Sequence, residues 1–133
     1  MKKILVTTDF SANSKAAIRF AIQLASQMDC ELTFFHSYHI SKPTSGNEKT
    51  FTSFEKHEAV RIEKELRRFV KTVYSSKKAI PQNVNYAIRS SFITDSNIMK
   101  FAADHHFDFI CISRRGSSKV KKLFGTNTSN LIL

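Results

Sequence analysis

Short apolar runs alternate with longer amphipathic segments along this chain. The first run, Ile4–Thr7, is apolar and rich in β-branched residues, which is typical of a strand buried on both faces. Three later runs share this character: Cys30–His36, Val84–Ile88 and Phe107–Ile112. Apolar residues recur at helical spacing in three intervening segments, residues 18–28, 62–73 and 98–102. The predicted order is β-α-β-α-β-α-β, which implies right-handed crossovers and a parallel sheet.

Polar residues mark the predicted ends of these elements. Ser11 is a good N-cap for the first helix, and Thr94 or Asp95 can cap the short third helix. Residues 39–53 are predicted to form a loop, because turn-forming residues cluster there. Residues 126–133 are predicted to begin a last helix. The fold class is therefore α/β, a three-layer open parallel sheet with helices on both faces.

The composition agrees with one globular domain spanning residues 1–133. Only 3 glycines and 2 prolines are present, which argues against an all-β fold with many tight turns. The two cysteines, Cys30 and Cys111, lie in or beside apolar runs, so we expect buried thiols rather than a disulfide framework.

The start of the chain is basic and then apolar, but the apolar run is too short for a signal peptide, and Asp9 follows at once. No stretch approaches the roughly 18 apolar residues of a membrane helix. We therefore expect a cytoplasmic protein with no membrane partner.

The net charge is +10, from 21 basic and 11 acidic residues. An excess of positive charge favours a partner that carries phosphate. Charge alone does not choose between a nucleotide, a nucleic acid and a lipid headgroup.

Open parallel sheets bind ligands in the crevice beyond the carboxyl ends of their strands. Three segments are predicted to meet there: Thr7–Phe10, His36–Tyr38, and Ser113–Gly116 running on to Gly125. Glycine lets backbone amides approach an anion, and a helix starting near Thr126 would add free N–H groups. The third segment is basic, with five cations and no acid between residues 113 and 125: Arg114, Arg115, Lys119, Lys121 and Lys122.

These segments resemble the universal stress protein family. Lys3–Ser11 resembles the opening strand and acidic turn of the family, Leu32–His36 the next strand, and Phe107–Ile112 the strand before its phosphate loop. The resemblance spans essentially the whole chain. It implies a Rossmann-like fold of the adenine nucleotide α-hydrolase type.

The resemblance also implies a set of cofactor-binding residues. Members that bind ATP carry G-x-x-G, nine residues, and then G followed by Ser or Thr. Asp9 would contact the ribose or the adenine, and Ile112 would pack on the base. Thr7 and Ser37 would line the base pocket through their backbone, and Gly116, Gly125, Thr126 and Asn127 would hold the ribose and phosphates. Thr8 and Ser113 complete the predicted site.

The sequence departs from the family pattern at three points. Ser113 stands in place of the first glycine, and eight residues separate Gly116 from Gly125. The family also has a branch that lacks the glycine signature and does not bind ATP. Members usually continue through a last helix into a fifth strand that often pairs two subunits. This chain closes at residues 130–133, so the sequence is trimmed, is half of a tandem protein, or lacks that strand.

No catalytic constellation is present: there is no Walker motif and no nucleophile with a paired base. Cys30, His36 and His39 do not have a recognised zinc-binding spacing. His105 and His106 lie at a predicted helix end before a strand, where we expect them to be exposed rather than to bind a metal. The resemblance implies a regulatory or adaptor module, not an enzyme, that binds ATP with Mg²⁺ or a related adenine nucleotide. The first alternative is the same fold without a nucleotide, acting on a protein partner or as a homodimer. Nucleic-acid binding, which rests on charge alone, is the least favoured reading.

Overall fold

The computed structural model describes residues 1–39, 48–91, 94–113, 120–124 and 129–132, with side chains for residues 1–39, 53–90 and 98–112. Nine elements lie within these residues. In chain order they are β1 (Lys2–Thr7), α1 (Ala12–Gln27), β2 (Cys30–His39), α2 (Glu48–Ser76), β3 (Val84–Ser91), α3 (Thr94–Asp104), β4 (Phe109–Ser113), β5 (Val120–Phe124) and β6 (Ser129–Ile132).

The strands form a six-stranded sheet in the order β3-β2-β1-β4-β5-β6. The four strands β3, β2, β1 and β4 are parallel, which confirms the predicted open parallel sheet. β5 then runs antiparallel to β4, and β6 antiparallel to β5. An antiparallel edge on an otherwise parallel sheet is common in α/β folds.

The predicted last helix is wrong, because Ser129–Ile132 is strand β6. Its backbone pairs with β5, in a register that runs from Phe124 opposite Ser129 to Lys121 opposite Ile132.

Other boundaries also differ from the sequence prediction. α2 begins at Glu48, inside the predicted loop of residues 39–53. β2 continues to His39 and β3 to Ser91, since their parallel pairing extends from Leu32 opposite Val84 to the last residue of each strand. β1 ends opposite Phe35, so the last part of β2 projects beyond the carboxyl end of β1.

Ser11 caps α1 as predicted. Its backbone is extended (φ −86°, ψ 166°), and its hydroxyl accepts a hydrogen bond from the Ser14 N–H. The buried stripe of α1 follows at helical spacing and comprises Ser14, Ala17, Ile18, Ala21 and Ile22.

The sheet separates two apolar cores. On one face, called the α1/α2 face, Ile4, Val6 and Phe34 pack with buried side chains of α1 and α2. On the other face, called the α3 face, Leu5 and Phe35 belong to a smaller cluster whose further buried members are Phe101, Ala102 and Ile110. Helices therefore cover both faces, as predicted.

Both cysteines are buried, and no disulfide joins them. Within the described part of the chain, no helix is both long enough and apolar enough to cross a membrane.

Leu66 is fully buried at the centre of the α1/α2 face. We expect Leu66→Ala to lower the free energy of unfolding by about 2–5 kcal/mol, because it removes packing and leaves a cavity. Lys64→Ala, at an exposed position of the same helix, is the matched control and should change it by less than about 0.5 kcal/mol. Urea denaturation of the three proteins measures the difference, and equal effects would contradict the assignment of Leu66 to the core.

Candidate functional site

The turn that follows β1 is built around the buried residue Thr8. The Thr8 N–H donates to the Phe35 carbonyl at 2.9 Å, and the Thr8 hydroxyl donates to the Ser14 hydroxyl at 2.9 Å. The same Thr8 hydroxyl accepts the Phe10 N–H at 3.1 Å, while the Ser14 hydroxyl donates to the Ser11 carbonyl at 2.8 Å. This chain of hydrogen bonds fixes the turn against the first residues of α1.

Thr7 is also buried, and its hydroxyl donates to the Cys111 carbonyl at 3.4 Å. That bond joins the carboxyl ends of β1 and β4, two strands that pair directly. The hydroxyls of Thr7 and Thr8 thus both have protein partners. The role predicted for Thr7 is through its backbone, whereas the N–H and the carbonyl of Thr8 are both bonded within the protein.

Phe10 adopts a left-handed backbone conformation, with φ at 65°. This backbone conformation raises the free energy of a bulky residue, so surrounding contacts must hold Phe10 in it. The Phe10 ring lies 4.4 Å from the His36 ring and meets the Phe69 ring edge-on at 5.4 Å. Phe10 therefore connects the turn to β2 on one side and to α2 on the other.

His36 ties the projecting part of β2 to the same turn. Its Nδ1 lies 2.6 Å from the Thr8 carbonyl oxygen. Because a carbonyl oxygen only accepts, this distance assigns the hydrogen to Nδ1. The His36 ring also stacks 6.3 Å from Tyr38 on the same strand face.

Asp9 lies between the two anchored residues of the turn, and its side chain is exposed. Partial burial acts to raise the pKa of the Asp9 carboxyl, but hydrogen bonds from Ser11 outweigh it and leave the pKa below its ordinary value. One of these bonds joins the Ser11 N–H to Asp9 Oδ1 at 3.0 Å. The turn therefore presents a carboxylate to solvent at the carboxyl end of β1.

Strands β2 and β4 bring three further predicted residues to the edge of the sheet formed by the carboxyl ends of the parallel strands. Ile112 follows Cys111, the partner of Val6, and packs half-buried against the α3-face core. Ser37 lies two residues beyond Phe35, the partner of Thr7, and is half-buried on that same face. Ser113 is the last residue of β4 and pairs with Val120. The structure thus places Thr7, Thr8, Asp9, Ser37, Ile112 and Ser113 along one edge of the sheet.

The remaining predicted residues, Gly116, Gly125, Thr126 and Asn127, lie outside the described residues. The helix that was expected to offer its N-terminus to phosphates is replaced by β6. Lys121 and Lys122, which were predicted to belong to a basic loop, lie in β5 opposite Ile112 and Cys111.

Two residues that contact the turn were not predicted from the sequence. Ser14 precedes Ile18 by one helical turn, so the buried stripe of α1 extends to it and predicts burial of its hydroxyl. Phe69 was assigned to the apolar face of its helix, but no local signal indicates that it meets Phe10. No group of three metal-ligating side chains occurs among residues 1–39, 53–90 and 98–112.

In open α/β sheets, ligands bind beyond the carboxyl ends of the strands, which is where this polar turn lies. A family model described as the universal stress protein family matches residues 1–133. The chain therefore belongs to the universal stress protein family. A search of curated proteins gave no significant match.

Three solved structures share the fold of this chain. The universal stress protein UspA from Lactobacillus plantarum is 21% identical, with a TM-score of 0.58 over 78% of this chain and 70% of that one. The hypothetical protein MJ0577 is 21% identical, with a TM-score of 0.57 over 82% and 72%. A universal stress protein solved in complex with cAMP is 17% identical, with a TM-score of 0.51 over 80% and 67%.

The left-handed backbone of Phe10 leads to a prediction about stability. Phe10→Ala should cost about 2 kcal/mol, because the half-buried ring contributes less than a fully buried one. Phe10→Gly loses the same ring but tolerates positive φ, so it should be about 1 kcal/mol more stable than Phe10→Ala. Chemical denaturation measures both. A glycine variant less stable than the alanine variant, as in ordinary backbone, would show that the turn does not hold this conformation.

The lowered pKa of Asp9 predicts how its contribution to stability depends on pH. A carboxyl whose pKa is lower in the folded protein stabilises above the ordinary pKa of 3.8, and this contribution is lost as the pH falls through the folded value. Asp9→Asn should therefore be less stable than the parent at neutral pH, with a gap that narrows below pH 3.8. Urea titrations at several pH values measure this gap. A gap that stays constant across the range would contradict the lowered pKa.

Proposed function

We propose that this universal stress protein is a cytoplasmic regulatory or adaptor module, not an enzyme, that binds ATP with Mg²⁺ or a related adenine nucleotide. The observation that carries the proposal is the exposed, ionised carboxylate of Asp9 at the carboxyl end of the central strand β1. Ligands of open α/β sheets bind at this edge, where the strand order reverses between β1 and β4.

The described residues at this edge fit a nucleoside. A carboxylate accepts hydrogen bonds and suits the hydroxyl groups of a ribose, which are donors. Ile112 supplies apolar surface for a base, and Thr7 and Ser37 would line the base pocket through their backbone. The family member solved with cAMP supports an adenine nucleotide as the ligand class.

Positive charge for the phosphates would come from the sequence that follows β4. Ser113 and Val120 pair with each other at the end of β4, and the sequence between them contains Arg114, Arg115 and Lys119. A basic segment thus begins and ends at the edge that presents Asp9. Mg²⁺ would arrive with the nucleotide phosphates, since the described residues form no metal cluster of their own.

Nucleotide binding would act as a switch through population shift. A ligand that contacts both the Asp9 turn and the segment after β4 favours conformations in which those parts are ordered together. The surface that results would be recognised by a protein partner or by a second copy of the chain.

One observation favours the second candidate, which is the same fold acting on proteins without a nucleotide. β6 occupies Ser129–Ile132, where a helix was predicted to hold phosphates by its N-terminus. Without that helix, phosphate affinity would rest on side-chain charge and loop amides alone.

Isothermal titration calorimetry with ATP and Mg²⁺ tests the proposal. We expect binding by the parent protein and about tenfold weaker binding by Asp9→Asn, since a charge-assisted hydrogen bond is replaced by a neutral one. Asp29→Asn is the matched control. Asp29 is exposed just before β2, at the amino-terminal end of the parallel strands and therefore far from Asp9. Its affinity should equal that of the parent.

No heat and no thermal shift at millimolar ATP would overturn nucleotide binding and leave the second candidate. Equal affinity of Asp9→Asn and the parent would instead show that ATP binds elsewhere on the molecule.

A further inference from the structure

A cleft of about 510 Å³ lies at the amino-terminal end of the parallel strands, at the opposite end of β1 from Asp9. Its lining comes from the end of α1, the start of β2, α2, and the connection between α2 and β3. The volume falls in the range of roughly 300–1,000 Å³ that is usual for small-molecule sites. We call this cavity the amino-end cleft.

Burial divides the lining of the amino-end cleft into an inner wall and a rim. The rim is exposed and mostly polar, and its charged side chains are one acid, Asp29, and one base, Lys78. Their formal charges cancel. The inner wall consists of side chains that are buried or half-buried: Ile22, Ala25, Met28, Cys30, Tyr74 and Ala79.

Backbone hydrogen bonds hold the connection between α2 and β3 against the rest of the cleft. At the end of α2, the Ala79 N–H donates to the Tyr74 carbonyl at 3.0 Å. Just before β3, the Asn83 carbonyl accepts the Leu32 N–H at 3.0 Å, which ties the connection to β2. The cleft is therefore formed in the protein as it stands, as most small-molecule sites are.

Tyr74 places a hydroxyl without a partner in this cleft. The residue is only 4% exposed, and its ring meets the Phe34 ring edge-on at 6.1 Å in the α1/α2 core. No hydrogen bond to the Tyr74 hydroxyl is found among the described residues. No fully enclosed polar side-chain atom among those residues lacks a partner, so the hydroxyl oxygen is open to the cleft that Tyr74 lines.

The two polar groups of the inner wall are neutral. Burial raises the pKa of the Tyr74 hydroxyl to about 12, and burial together with Asp29 raises the pKa of the Cys30 thiol. At neutral pH the Tyr74 hydroxyl therefore keeps its proton and can donate a hydrogen bond. A hydroxyl held out of bulk water gains free energy from a partner, and an acceptor oxygen supplies one.

We propose that the amino-end cleft binds a neutral small molecule that has an apolar body and a carbonyl oxygen. The apolar body packs against the inner wall, and the carbonyl oxygen accepts the hydrogen bond of the Tyr74 hydroxyl. A charged ligand is disfavoured, because it would leave water for a neutral wall and meet no net charge at the rim. The site is separate from the one proposed for a nucleotide and does not rest on it.

NMR titration of the isotope-labelled chain with three benzene derivatives tests this inference. Acetophenone carries the carbonyl, α-methylstyrene has a methylene group in place of the carbonyl oxygen, and benzoate is the charged counterpart. We expect acetophenone to bind about fivefold more tightly than α-methylstyrene, which leaves the Tyr74 hydroxyl without a partner. Benzoate should not bind. The shifted amides should be those of the cleft, such as Cys30 and Ala79, and not those of Thr8 and Asp9.

Tyr74→Phe isolates the hydroxyl. This variant should bind acetophenone and α-methylstyrene with equal affinity. Because the hydroxyl has no partner in the protein, the variant should unfold at no lower a temperature than the parent. Tyr86→Phe is the matched control, since it removes the hydroxyl of a half-buried tyrosine that does not line the cleft. It should keep the preference for acetophenone.

Four results would each overturn the proposal: no binding of acetophenone by the folded parent, equal affinity for acetophenone and α-methylstyrene, a preference that survives in Tyr74→Phe, or shifts at Asp9 instead of the cleft. Shifts of the cleft amides that depend on protein concentration in the absence of ligand would also overturn it, in favour of a second copy of the chain as the occupant. ATP binding at Asp9 is independent of these outcomes, since the two sites lie at opposite ends of β1.

Discussion

The hydrogen bonds of Thr8 hold together the part of the molecule on which the candidate site depends. Thr8 follows a central strand and is buried, so its hydroxyl, N–H and carbonyl all need partners inside the protein. Those partners come from α1, from the turn and from β2: the Ser14 hydroxyl, the Phe10 N–H, the Phe35 carbonyl and the His36 ring. The hydrogen bonds that satisfy this one buried residue therefore fix α1, the turn and β2 relative to one another. Asp9 lies between two anchored residues, so its side chain is directed outward, and its exposure follows from the burial of Thr8.

The sequence predicted the elements whose own residues carry the signal. The strands β1 and β2 and the stripe of α1 were located from apolar runs and helical spacing, and Ser11 was correctly predicted as a cap. The boundaries that failed depend on long-range pairing. His36–His39 is polar, and nothing local shows that β3 runs beside it. The first turn of α2 is also polar, which suits a loop equally well.

The candidate site also has one part that local sequence predicts and another that depends on long-range contacts. Asp9 could be predicted because a residue that follows a buried parallel strand must lie at the carboxyl edge. The contacts that hold Asp9 in place could not be predicted, since the Phe10, His36 and Phe69 rings come from three different parts of the chain.

At the end of the chain, the local sequence pattern predicted the wrong element. Residues suited to a helix cap precede apolar residues after position 126, but the same pattern suits a hairpin loop and a strand. Pairing with β4 and β5, a tertiary effect, decides between them.

The two edges of the sheet differ in how their backbone groups are satisfied. Beyond β4 the chain continues the sheet itself, so the outward groups of β4 meet β5 and those of β5 meet β6. Beyond β3, within the described residues, the only partner found for an outward carbonyl is the Arg89 side chain. A neighbouring strand satisfies a row of groups at fixed spacing, whereas a guanidinium satisfies one and can rotate away. The Arg89 guanidinium thus satisfies one outward carbonyl of β3, and it takes part in none of the ion pairs found among the described side chains.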